Sequence, residues 1–76
     1  MIQELDDVIL VCDLPKQGLK CGDIGTVVLI HGEAKGYEVE FTTLDGEPVA
    51  IITLLVSQVR LAHEREIAHA REMAGV

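Results

Sequence analysis

Gly22-Asp23-Ile24-Gly25-Thr26-Val27-Val28-Leu29-Ile30 is the stretch that decides how this chain folds. Gly22 and Gly25 bracket Asp23-Ile24 and supply the φ > 0 freedom that a sharp turn needs. From Thr26 to Ile30 the residues are β-branched or aliphatic without interruption, which suits a pleated strand. The stretch therefore predicts a turn at Gly22–Gly25 that launches a central strand from Ile24 to about His31.

Upstream, Val8-Ile9-Leu10-Val11-Cys12 reads as a first strand behind the polar pair Asp6-Asp7. Pro15 and Gly18 punctuate the following segment, so Asp13–Lys20 reads as a loop. Downstream, Gly32–Gly36 reads as a hairpin turn. Tyr37, Val39 and Phe41 then alternate with Glu38 and Glu40, a period-two pattern that marks a third strand. Asp45-Gly46 predicts a two-residue type I′ hairpin, leading into a fourth strand over Val49–Leu54. Leu55–Gln58 is a single turn before a short fifth strand, Val59–Leu61.

Beyond Ala62 the composition changes. His63 to Ala74 is rich in helix formers and ends at Gly75, which predicts a C-terminal α-helix with Ile67, Ala70, Met73 and Ala74 on one narrow apolar stripe. About three turns with so slim a stripe are marginal in isolation, so this helix either docks or frays. The pattern predicts a mainly β protein: a small five-stranded barrel over residues 1–61 and a helix or tail over 62–76. The Asp13–Lys20 loop falls where Src-homology-3-like barrels carry their long first loop. Lys20-Cys21-Gly22-Asp23 resembles their diverging turn, and G-D-I-G-T-V-V is similar to the glycine-centred strand of KOW-type barrels.

A chain of 76 residues makes one domain. It is 49% hydrophobic but only 3% aromatic, so the core must be aliphatic. With 13 Asp and Glu against 6 Lys and Arg, the net charge is −7. That balance speaks against nucleic acid and anionic membrane, which need clustered cations. It favours a basic partner, and it also serves simple solubility. The N-terminus has no basic region or apolar run of a signal peptide, and no stretch reaches the roughly 20 apolar residues of a membrane span, so the cytoplasm is expected. Cys12 and Cys21 flank the first loop; they either bridge or remain two buried, reduced thiols acting as small hydrophobes.

The strands carry an imbalance. One face of each barrel strand is buried, so apolar and polar residues should alternate. Val8–Cys12, Val27–Ile30 and Val49–Ile52 are instead apolar at consecutive positions. Each outward aliphatic left in water forgoes roughly 1.5–3 kcal/mol of burial, and several together form the kind of patch that marks an interaction site. The C-terminal helix, a second copy or another protein can cover them. Ile67 and Met73 supply little area, so a dimer or a partner is expected in addition to the helix.

No catalytic constellation emerges. Glu66-x-x-His69 has the spacing of carboxylate-bridged metal sites but stands without further ligands, and His63 and His69 point to different sides of a helix. His31 reads as a surface residue at a strand end. Asp6, Asp7, Asp13 and Asp23 either converge on a cation or cap turns. Ser57, Cys12 and Cys21 lack an activating neighbourhood. No enzyme activity, cofactor or metal is expected. With Trp absent and Tyr37 and Phe41 alone, neither a proline-peptide groove nor a single-strand stacking platform is present. The expected partner-binding residues are Tyr37 as an anchor with Glu38, Glu40, Asp45 and Glu47 as the acidic side. Ile67, Ala70 and Met73 are expected to serve oligomerisation or helix docking.

Taken in order, Leu14-Pro15, Gly18-Leu19, Gly22 to Val28, Tyr37 to Phe41, Thr53-Leu54 and Val59-Arg60 resemble the family of small bacterial proteins known as domain of unknown function forty-nine twenty-six. The resemblance covers Met1 to about Leu61; the tail beyond Ala62 departs from the shorter members. It implies a stand-alone protein with no catalytic residues to carry over. It also implies a toxin–antitoxin or immunity arrangement, since members are sometimes encoded beside another small protein. The expected function is a non-enzymatic binding module, antitoxin-like, masking a basic partner; the alternative is a structural or accessory subunit, a homo-oligomeric barrel that assists an enzyme.

Overall fold

A computed structural model describes residues 1–73, with Ala34 described by its backbone only. Five strands form one antiparallel sheet: β1 (Asp7–Leu10), β2 (Ile24–His31), β3 (Gly36–Thr42), β4 (Pro48–Leu55) and β5 (Val59–Leu61), in the order β4-β3-β2-β1-β5. Short 3-10 turns sit at Pro15–Gln17, Gly32–Ala34 and Val56–Gln58. Among the described residues no helix is long and apolar enough to cross a membrane.

The opening stretch divides its two glycines between different tasks. Gly22, at φ 97°, makes the turn. Gly25 belongs to β2, paired with Val8, where a Cβ would stand 2.5 Å from Val39 Cγ1 and 2.8 Å from Phe41 Cε1. It is there for close approach of β2 to the core and not for turning, which corrects the expected Gly22–Gly25 turn. Val8, Leu10, Leu19, Val27, Tyr37, Val39, Phe41, Leu54 and Val59 form the core, with Leu14, Ile30 and Ile52 packed at its margin.

The consecutive aliphatics of β2 are explained by a bulge. Val27 pairs with Val39 and Leu29 with Glu38, leaving Val28 without a cross-strand partner. A bulge puts two successive side chains on one side, so Val28 and Leu29 both face outward while Ile30, opposite Tyr37, returns to the core side. The β3–β4 connection also differs from expectation. Gly46 N–H donates to Thr43 O at 3.0 Å, and of Asp45 and Gly46 only the glycine has positive φ. That is a type I turn followed by a left-handed glycine, a three-residue loop, and not type I′.

Among the described residues the expected C-terminal helix does not form. A first turn starts at His63, where Glu66 N–H donates to His63 O at 3.3 Å and Glu66 Oε1 accepts His63 N–H at 2.6 Å. It does not propagate, and the chain through Met73 is irregular. Nucleation is the costly step for so short a segment, and competing tertiary contacts hold the tail extended. Arg60 grips Glu66 with two hydrogen bonds of 2.8 and 2.6 Å. Farther along, Arg71 grips Asp23 with Nε–Oδ1 of 2.9 Å and Nη2–Oδ2 of 2.5 Å, and donates to Gly18 O at 3.0 Å. Between these clamps the tail shares a crevice with Ile9 and Ile24. Ile9 is outside the core cluster yet only 8% exposed, so the strap covers one outward aliphatic of β1. Ile67 and Ala70 are exposed and do not dock; Met73 is half-buried beside Gly18. The expected cap Gly75 and the stripe residue Ala74 lie outside the described residues.

Candidate functional site

Register builds the outer face of β2, β3 and β4 as three cross-strand rows: Thr26–Glu40–Ile51, Leu29–Glu38–Thr53 and His31–Gly36–Leu55. Because strand residues alternate sides, Tyr37, Val39 and Phe41 point to the core while Glu38 and Glu40 point out among aliphatics. Val28, Leu29, Ile51 and Leu55 are 39%, 45%, 61% and 61% exposed. The face is thus apolar at both flanks with a carboxylate ridge down its middle.

Glu38 is fixed in place. Its Oε2 accepts the Thr53 hydroxyl from β4 and lies 2.6 Å from His31 Nε2 at the end of β2. The Thr53 hydrogen bond, then that with His31, holds its carboxyl below the usual glutamate range despite some desolvation. A carboxylate so held is a permanent negative charge at neutral pH, suited to electrostatic recognition and not to proton transfer.

The expected site residues separate into three places. Glu38 and Glu40 share the outer face. Asp45 and Glu47 sit in the exposed β3–β4 hairpin beyond Thr42, where the Thr43 hydroxyl holds the Asp45 carboxyl below its ordinary value. Tyr37 is 4% exposed inside the core, so it is not a surface anchor; the same alternation that puts its glutamate neighbours out puts it in. The sequence does not single out the aliphatics Val28, Leu29, Ile51 and Leu55 one by one. Consecutive apolar positions signalled that an outward set existed, but the bulge that selects Val28 and Leu29 has no sequence mark. His31 is exposed, as expected, but is also a partner of Glu38 across the Gly32–Gly36 connection.

The four aspartates are each engaged separately. Asp6 Oδ2 accepts Gln3 N–H, Asp7 Oδ1 accepts the Thr26 hydroxyl, Asp13 Oδ1 accepts Cys21 N–H and Asp23 binds Arg71. Among the described residues no three His, Cys, Asp or Glu side chains gather as a metal site. Burial pushes the Asp23 carboxyl up, but hydrogen bonds from Arg71 and from Lys20 N–H, with the Arg71 and Lys20 charges, outweigh it and leave it lowered. Cys12 and Cys21 are free thiols, and neither is buried as expected: Cys12 is half-buried and Cys21 is exposed on the turn.

Among the described residues one antiparallel sheet of five strands, a core of aliphatics around Tyr37 and Phe41, and irregular connections define a small mainly β domain. Residues 4–61 match the family model described as Domain of unknown function (DUF4926), and the chain belongs to that family. No curated protein and no solved structure matches it.

Proposed function

We propose that this chain is a non-enzymatic protein-binding module that holds a basic protein on the outer face of β2, β3 and β4, as an antitoxin or immunity protein masks its target. The observation that carries this reading is the interleaving of Val28, Leu29, Ile51 and Leu55 with Glu38 and Glu40 on one exposed sheet face. Exposed aliphatics of this density mark interaction surfaces, and fixed carboxylates among them select a cationic counterpart and speed its approach. The net charge of −7 acts in the same direction. The sheet order, with a 3-10 turn between the last two strands, supports reading the fold as a Src-homology-3-like barrel whose binding surface differs from an aromatic peptide groove.

The test uses paired baits, wild type and the Glu38→Gln/Glu40→Gln variant, each immobilised and exposed to lysate of the native host. A protein retained by the first and depleted on the second is then purified and its association rate measured against salt. The reading requires slower association by the variant and a flatter salt dependence. Identical capture and identical kinetics would remove the outer face as the binding site.

A further inference from the structure

We propose that the open edge of β4 pairs antiparallel with β4 of a second copy, about a twofold axis at Thr53, making a dimer with one continuous ten-stranded sheet. The inference goes beyond the partner-binding reading and does not rest on it.

The strand lies at one end of the sheet order, so its far side has no partner strand among the described residues. Natural edges are defended by charges, proline, bulges or brevity. The other edge, β5, is three residues long and contains Arg60. In contrast, the eight residues of β4, P-V-A-I-I-T-L-L, carry no ionisable group. Pro48 and the register shift beside it defend only the first residues, and at the far end the Gln58 side chain takes the Leu55 N–H. From Ile51 to Leu54 the edge is regular and undefended, so the Thr53 pair and the Ile51 N–H groups carry the contact.

The backbone of that segment is aimed outward. Leu55 N–H donates to Gln58 Oε1 at 2.8 Å, so it turns away from β3. Pairing with β3 is regular from Phe41↔Ala50 to Gly36↔Leu55. Alternation along an antiparallel strand then directs the N–H and C=O of Thr53 and Ile51 to the open side as well, while Ile52 and Leu54 spend theirs on β3.

What favours a second copy over any other strand is the symmetry of Ile51-Ile52-Thr53-Leu54-Leu55. An axis at Thr53 sets threonine against threonine, Ile51 against Leu55 on the outer side and Ile52 against Leu54 on the core side. Every pair matches in character and in face, as an isologous contact demands. Charge does not oppose it. Glu38 lies one strand in from Thr53, so the two copies of Glu38 stand three strand spacings apart, about 14 Å, beyond the ~10 Å screening length at 0.1 M salt.

Sedimentation equilibrium from about 5 μM to about 0.5 mM, a range that spans Kd values typical of weak self-association, is the test. Wild type should pass from monomer to dimer with concentration, and the amides of Ile51 and Thr53 should exchange more slowly as it does. Ile51→Lys places a charge on the edge and should weaken the dimer at least about tenfold, equivalent to ~1.4 kcal/mol. The circular dichroism spectrum of this variant should match that of the wild type. Leu29→Lys lies on the outer face two strands from the edge; it should leave dimerisation unchanged while impairing the partner capture described above. A wild type that remains monomeric throughout, a dimer that survives Ile51→Lys, or equal loss with Leu29→Lys would each overturn the proposal.

Discussion

Replacing Gly25 by alanine adds one methyl group where the structure has no room for it. That Cβ would lie 2.5 Å from Val39 Cγ1, 2.8 Å from Phe41 Cε1 and 3.0 Å from Glu40 O, against ordinary carbon–carbon contacts of about 3.5–4.0 Å. Val39 is 0% and Phe41 2% exposed, so neither can swing into solvent, and the Glu40 carbonyl is fixed in β3. Overpacking of this kind costs about 1–3 kcal/mol, partly offset by ~0.4–1 kcal/mol from a stiffer unfolded chain. A net loss of about 1–2 kcal/mol is expected, out of a total that for this length is on the order of 4–11 kcal/mol. In a domain of this size it lowers Tm by about 4–16 °C. Urea titration with a thermal melt reads both quantities. Gly32→Ala is the control: nothing lies within 4 Å of its Cβ position and its φ is not positive, so its change should stay within ~0.5 kcal/mol. Stability unchanged or raised by Gly25→Ala would refute the close approach of β2 to Val39 and Phe41.

Further outcomes follow from the tail and the core. Arg71→Ala strips the bidentate partner from Asp23 and should free the end of the tail, read as loss of amide protection near Met73; Arg71→Lys should not restore it, since lysine lacks the fork. The Glu66 carboxyl, lowered from 4.5 to about 2 chiefly by Arg60, should titrate near that value by NMR and move back up in Arg60→Ala. Both carboxylates have depressed folded-state values, so their contribution is present above the ordinary carboxylate range and lost as pH falls through the folded values. For Glu66 the window is 4.5 down to about 2, and for Asp23 it lies below 3.8. Acidification should therefore loosen the tail, seen as falling amide protection factors (the intrinsic rate at each pH divided by the observed rate) in residues 62–73, and a tail equally protected at low pH would contradict the clamps. Leu54→Ala removes a fully buried side chain and should cost about 2–5 kcal/mol, read by urea titration.

The strands were legible because period-two alternation and β-branched runs act locally. Val59–Leu61 and Ile24–His31 fall where the residues place them, and β3 alternates as Tyr37–Phe41 suggests. β1 ends at Leu10 and not Cys12, although Val11 N–H still donates to Gln58 O, 47 positions away, in the β1–β5 register. The tail departs from the helix its residues predict because distant contacts decide its path. Helix propensity in His63–Ala74 is real but weak, and the clamp to Asp23 spans 48 positions. On the outer face, Glu38 and Glu40 were legible from alternation, which equally should have placed Tyr37 inside. The pairing of Val28 with Leu29 on one side depends on a bulge set by the partner strand, and that information is not in β2 alone.

The placement of the binding surface is tested most directly by methyl NMR of this chain titrated with the captured partner. The methyls of Val28, Leu29, Ile51 and Leu55 should shift or broaden together, while those of Leu44 in the β3–β4 hairpin and Ile67 in the tail, both exposed, should stay still. Perturbation of Leu44 and Ile67 with a silent outer sheet would contradict the account.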